Sequence, residues 1–295
     1  MPAASEQRPL PIGPVRRLFS CSPTKLATWV SCPRRFRFTY LDRPTPSRGG
    51  AWAHLSYGSS AHLALRAWWD LPVEDRSSEA AGHLVRDVWA SDGFRDEEQS
   101  SQWCERAAQQ VGSYAERLDP AHEPRGLERL VAMKTPRLTF SGRVDRIDEV
   151  PFASAGEGID EERLELVIID YKTGRQTPSH TDARASAALA LYAEAAQRLF
   201  HRRCRIVELH HLPSGTVARW EHDDASVNRH IERADQIGAE AGIATSRLLG
   251  GEGDPDTDFP ARPSAQCSWC DFRSVCPEGE QASVQRQPWD GLASG

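Results

Sequence analysis

Three residues of this chain have the types and spacing of a hydrolytic metal site. They are Asp145 in Gly142-Arg-Val-Asp145-Arg-Ile-Asp148, and Asp170 and Lys172 in Ile168-Ile-Asp170-Tyr-Lys172-Thr-Gly174. Residues two apart on a strand share a face, so Asp170 and Lys172 project together while Tyr171 points the other way. A carboxylate closing a buried apolar strand costs several kcal/mol unless it is paired or metal-bound. Two such acids from neighbouring strands make an oxygen-ligand pocket suited to Mg2+ or Mn2+. A lysine beside them can stabilise or help deprotonate an attacking water while the ion polarises a phosphoryl oxygen. The plain alternative is an Asp–Lys salt bridge at a strand edge. Lysine usage weighs against it: Lys25, Lys134 and Lys172 are the only lysines among 36 basic residues. Arginine is therefore the default cation, and a compact ammonium at this position suits a metal–phosphate site.

A second set of candidate ligands is sulfur. Seven cysteines, an odd number, fit a secreted disulfide framework poorly. Cys267, Cys270 and Cys276 form a Cys-x2-Cys-x5-Cys run, whereas Cys32 stands far upstream, and both Cys32 and Cys276 precede proline. Cys21, Cys104 and Cys204 have no companions at ligand spacing and read as ordinary thiols.

The elements that must position these groups follow from periodicity. Ser22-Pro23 opens a helix whose apolar face, Leu26, Trp29 and Val30, runs to Cys32. Further helices are predicted over 58–69, 78–90, 100–118, 182–200 and 224–248. Residues 130–150 read as two or three strands and 151–162 as a Gly- and acid-rich loop. Residues 164–172 read as a strand buried on both faces. Residues 206–220 read as a hairpin turning at Pro213-Ser214-Gly215. This order predicts a mixed α/β domain with a small C-terminal appendage.

Composition bounds the setting. A chain of 295 residues, 39% hydrophobic and 26% charged, supports a real core and is not disordered by composition. No apolar run approaches the ~18 residues of a membrane span, and the N-terminus lacks a secretory apolar region; the expectation is a cytoplasmic protein with no membrane partner. Net charge is −6, which argues against non-specific coating of nucleic acid. Residues 1–50 nevertheless hold nine Arg or Lys against two acids, so the remainder carries −13. Such a basic face on an acidic body would suit a local phosphate contact, or be a solvated tail.

Taken in order, these motifs resemble the PD-(D/E)xK nuclease superfamily, in its RecB-like exonuclease branch, over about residues 22–278. That branch also carries an upstream Gly-x-x-x-His, present here as Gly58-Ser-Ser-Ala-His62. The resemblance implies a restriction-endonuclease-like α/β core, a mixed central sheet flanked by helices. It implies that His62, Asp145 and Asp170, with the Tyr171 carbonyl, ligate Mg2+ or Mn2+, and that Lys172 is the catalytic lysine. The family's Gln-x-x-x-Tyr helix motif keeps only Tyr192, expected to contact nucleic acid; Ala188 stands in the glutamine position, and Arg184, one turn earlier, is a candidate substitute. Cys32, Cys267, Cys270 and Cys276 resemble the family's iron–sulfur version, in which such a set holds a [4Fe–4S] cluster. Zinc, which also takes four thiolates, is the alternative, although structural zinc usually binds two short cysteine knuckles. The implied organisation is a tail over 1–21, a nuclease domain over 22–249, a linker and cluster segment over 250–281 and a second tail over 282–295.

Ligands at 32 and 267–276 would clasp the two ends of the chain and stabilise it as long-range cross-links do. They would also hold Arg34, Arg35 and Arg37 near the active domain. With Phe36, Phe38 and Tyr40 interleaved, that segment has the makings of a single-strand platform; packing of at least two of these rings into the fold is equally expected. The expected function is a metal-dependent DNA exonuclease acting on single strands or ends in repair or recombination. The alternative is a weak or inactive iron–sulfur DNA-binding module on a nuclease scaffold. Disulfide oxidoreductase chemistry at Cys267 and Cys270 lacks the βαβ setting it needs. With no Walker A pattern, the chain cannot be its own helicase, so a separate helicase partner is expected for duplex substrates.

Overall fold

The computed structural model describes residues 18–154 and 158–292. Six strands form one mixed sheet: β1 (Phe19–Cys21), β2 (Gly126–Lys134), β3 (Leu138–Ser154), β4 (Gly158–Lys172), β5 (Cys204–His211) and β6 (Thr216–Glu221), in the order β1-β3-β4-β5-β6 with β2 also on β3. Helices α3 (Ala53–Trp69), α4 (Ser78–Asp87) and α5 (Glu97–Ala115) cover one face. Helices α7 (Ala187–Phe200) and α8 (Asp224–Leu249) cover the other. The β4 strand shows why it is apolar throughout: Leu166 and Ile168 enter the α7–α8 core, Val167 and Ile169 the α3–α5 core. This is the expected α/β core with a mixed sheet flanked by helices.

The first helix is two. Cys32 is extended, ending α1 (Pro23–Ser31), and its sulfur accepts the Arg35 N–H at the start of α2 (Pro33–Tyr40). Proline at the first position suits that restart because its missing N–H would be unsatisfied there anyway. Phe36 is fully buried and Phe38 nearly so, so these rings pack into the fold, as the second expectation held.

Several boundaries move. Phe19–Cys21, inside the segment read as a tail, pairs parallel with Leu138–Phe140; residues 1–17 lie outside the described residues. The loop expected at 151–162 is largely strand, because β3 and β4 form one long hairpin, with only residues 155–157 outside the described residues. The helix expected over 182–200 breaks into α6 (His180–Ala185) and α7, because the Ser186 hydroxyl accepts the Leu189 N–H and caps a fresh helix. After α8 come short turns, α9 (Pro255–Asp258) and α10 (Pro277–Gln281). The segment read as a C-terminal tail folds back: Val284 N–H donates to Ser268 Oγ, Ala53 N–H donates to the Pro288 carbonyl, and Leu292 is buried. No helix among the described residues is long and apolar enough to cross a membrane.

Candidate metal-dependent active site

The site forms where two strands part. β3 and β4 pair in register up to Arg146↔Ile169 and then separate, while β1 occupies the same edge of β3 only at Leu138–Phe140. The stretch of β3 between them is left open, and Asp145 lies in it. Freed from the ladder, the Tyr171 N–H donates to Asp145 Oδ2 at 2.9 Å. Strand alternation sorts the acids of the motif. Asp148 turns to the opposite face with Arg146, where the two form a buried ion pair joined by His122. Asp148 is thereby paired within the fold, whereas Asp145 lines the cavity.

His62 arrives from the middle of α3, which begins five residues before the predicted start. Its Nδ1 lies 3.4 Å from Asp145 Oδ2 and its Nε2 3.1 Å from the Tyr171 carbonyl. Lys172 pairs with Asp170, as residues two apart on a strand must. The predicted ligands are thus not all equivalent. His62 and Asp145 converge with Glu128, ligand atoms of the three lying within 4.8 Å of one another. Asp170 stands beside them with its carboxylate turned to the lysine.

Glu128 was invisible to motif reasoning, since Leu127-Glu-Arg reads as an ordinary strand surface. Its signal is register: β2 pairs with β3 as Leu127↔Arg146 and Arg129↔Val144, which sets Glu128 opposite Asp145. Its φ is +46°, a left-handed value costly for a residue with a side chain. Like charges directly across a sheet repel. A strained glutamate held against an aspartate is a pair that a divalent cation would relieve.

The electrostatics agree. Burial would strip the proton from His62, but the hydrogen-bonded Asp145, with Asp170 and Glu128 behind it, raises its pKa above the ordinary imidazole value. Burial raises the Glu128 carboxyl, Asp145 adds to this, and His62, Arg143 and Arg66 oppose it. Burial likewise pushes Asp170 up against the pull of Lys172, with the Asp145 charge adding to the push. Hard carboxylate oxygens with one imidazole suit Mg2+ or Mn2+.

Tyr192 closes the site from α7. Only glycine fits beneath its ring, since a Cβ on Gly142 would stand 2.5 Å from it. Burial first, then Asp170, Asp145 and Glu128, push the Tyr192 phenol up to about 12, so it stays a neutral donor facing the acids. The cavity above measures about 800 Å³ and is rimmed by Arg66, Arg106, Arg143 and Arg175, with Gly58 on the same wall. Arg184 does not replace the missing glutamine: its guanidinium packs over Trp220, 5.1 Å from the ring centre.

The four cysteines Cys32, Cys267, Cys270 and Cys276 line one small pocket between α2 and the C-terminal turns. All are free thiols. Main-chain N–H groups of Arg35 and Ser264 point at the sulfurs of Cys32 and Cys267. A Cβ on Gly279 would stand 3.2 Å from the Cys276 sulfur and 3.9 Å from that of Cys267. Four thiols, donors aimed at sulfur and a bare glycine wall fit a thiolate-ligated metal group.

The basic residues beside Cys32 are engaged within the fold. Arg34 donates to Glu278 and Asp256, and Arg37 to Asp42 and the Pro255 carbonyl. Both side chains are almost covered and tether α2 to the C-terminal segment. Arg35 lines the cysteine pocket.

No curated protein matches the chain. Residues 20–277, which include both clusters, match the PD-(D/E)XK nuclease superfamily. The match spans the parted strands, the acids at their mouth and the lysine beside them, and the chain belongs to the PD-(D/E)XK nuclease superfamily.

Proposed function

We propose that the protein is a DNA exonuclease dependent on Mg2+ or Mn2+. In this reading it hydrolyses phosphodiester bonds on single strands or DNA ends during repair or recombination, and a separate helicase supplies strands from duplex. The observation that carries the reading is the convergence of His62, Glu128 and Asp145 at the strand split, next to the Asp170–Lys172 pair and under a rim of arginines. A divalent ion bound there would polarise a phosphoryl oxygen and lower the pKa of a bound water. The remaining work falls to side chains. The rim arginines receive phosphates. Lys172, half-exposed, lies where it can hold a water or meet charge growing on the phosphoryl oxygens. The neutral Tyr192 hydroxyl offers a further donor.

In the same reading Cys32, Cys267, Cys270 and Cys276 hold a [4Fe–4S] cluster. One pair and two single cysteines are closer to cluster ligation than to paired zinc knuckles. The group would fasten the start of α2 to the C-terminal turns, the junction that Arg34 and Arg37 also bridge.

The test uses anaerobically purified protein on end-labelled single-stranded DNA with Mg2+ or Mn2+, beside Asp145→Ala, Asp170→Ala and Lys172→Ala. Cleavage from an end that vanishes in all three variants, with circular single strands left intact, is the expected result. Cleavage of circles would make the enzyme an endonuclease, and activity surviving in the variants would place the chemistry elsewhere. Iron and sulfide analysis with the visible spectrum tests the cluster; stoichiometric zinc without iron would overturn it.

A further inference from the structure

A second cavity opens beside the acid cluster. It lies between α5 and the segment that follows α10, measures about 620 Å³, and shares Trp103, Arg106, Arg175 and Leu292 with the first. The two therefore adjoin along a shared wall. The rest of the second cavity's wall comes from Arg95 on one side and from Arg286 and Trp289 on the other.

The chemistry of this wall is specific. Four arginines face one acid, Asp290, whose carboxylate already accepts the Gln287 N–H. Arg95 is tied to its neighbour Asp96. The Arg106 guanidinium lies over the Trp103 ring, 4.8 Å from its centre, and Arg286 lies over Trp269 at 5.4 Å. Stacking of that kind leaves the N–H edges of a guanidinium available for oxygen acceptors. Trp103 and Trp289 are both half-buried, held by the fold while lining the space. The wall is also built rather than draped. Its backbone is pinned by Val284 N–H to Ser268 Oγ at 2.9 Å and by Ala53 N–H to the Pro288 carbonyl at 3.1 Å. Indole rings between guanidiniums are the combination that takes unstacked bases and their phosphates together, whereas a duplex hides its base faces.

We propose that this second cavity seats the single strand of DNA adjoining the scissile phosphate, with Trp289 stacking on a base, Trp103 backing the Arg106 guanidinium, and Arg106, Arg175 and Arg286 holding phosphates. The proposal rests on the single-strand reading above and assigns its binding path to the C-terminal segment, not to the basic residues of α2.

The experiment measures binding without cleavage. Anisotropy of labelled oligo-dT is followed in a chelator, across a salt series, for the full-length protein and its variants. Trp289→Ala should weaken binding roughly five- to hundred-fold, the size of one lost base–aromatic stack. Arg286→Ala should flatten the slope of log affinity against log salt by about 0.7, as one lost phosphate contact on a single strand does. Arg233→Glu, exposed on α8 across the sheet from this cavity, should bind as wild type. Melting temperatures for all variants separate loss of binding from loss of fold. Wild-type affinity and slope in both cavity variants would overturn the proposal, as would an intact protein that does not bind oligo-dT. A cavity that binds as described in a protein that cuts nothing would instead sink the exonuclease reading and leave this one standing.

Discussion

The acid cluster and the cysteine pocket are built in opposite ways. Asp145, Glu128 and Asp170 stand on three strands of the central sheet, with buried apolar residues on both sides of β4. Their positions are set before any ion arrives, and the fold carries their mutual repulsion. The cysteine pocket has little regular structure: single turns, a five-residue helix and the break between α1 and α2. Phe38 against Phe272 and Phe36 against Phe259 are its main apolar joints. A site on a rigid sheet can spend stability on function, whereas a site on turns must draw stability from what its ligands bind.

Asp145→Asn breaks that contrast most sharply. The amide keeps an oxygen for the Tyr171 N–H but removes the charge. Nuclease activity should fall roughly 10²–10³-fold or more, the scale of losing one electrostatic element at a reacting phosphate. At the same time the metal-free protein should gain up to about 1 kcal/mol, because the cross-strand repulsion with Glu128 disappears. Chemical denaturation in a chelator reads the second effect. A destabilised Asn variant would mean that the lost pairing of Asp145 with His62 outweighs the repulsion from Glu128.

Cys276→Ser should do the reverse. Loss of one ligand to the proposed cluster should cost about 2–4 kcal/mol, the range for a long-range cross-link, and the loss should concentrate at the chain ends. Hydrogen exchange would show α2 and α10 opening while β3 and β4 stay protected. Uniform loss of protection would make the pocket part of the global core.

The sequence made the sheet site readable because its key relations are local. Asp170 and Lys172 are two apart on one strand, and His62 follows Gly58 by one helical turn. Glu128 was not readable, because its role depends on which residue of β3 stands across from it. The same holds for β1, three residues that pair in register with 138–140, and for Arg34, whose partners are more than two hundred positions away. The β3–β4 hairpin was masked by glycine and acid content that reads as loop. The four cysteines, by contrast, share a pocket as their types implied, although nothing local dictated the turns that gather them.

Acid should act on the body and not on the pocket. His222 is fully buried between β6 and α8, hydrogen-bonded to Ser226, and burial together with His230 lowers its pKa to about 4. The folded state therefore binds this proton less readily than the unfolded chain, whose histidine titrates near 6.5. The stability it protects is whole above pH ~6.5 and is lost as pH falls toward 4; linkage gives about 2 kcal/mol by pH 5. His222→Gln should flatten the stability–pH curve between 7 and 5. An unchanged curve would assign the acid sensitivity elsewhere.

The smallest effect tests the reassignment of α2. Arg34 links Glu278 and Asp256 across the two ends of the chain, with most of its side chain covered and both carboxylates partly in water. Screening limits what such a pair contributes, so Arg34→Gln should cost about 1 kcal/mol or less. As a tether, Arg34 contributes through the α2 junction, so its loss should add little once Cys276→Ser has already loosened that junction. The double variant would then be less destabilised than the sum of the two singles. As a phosphate ligand, Arg34 would instead lower oligo-dT affinity and flatten its salt slope, with stability effects that simply add. Additive stability with a flattened slope would return α2 to the nucleic-acid surface; coupled stability with an unchanged slope fixes it as the clasp that holds the cysteine pocket closed.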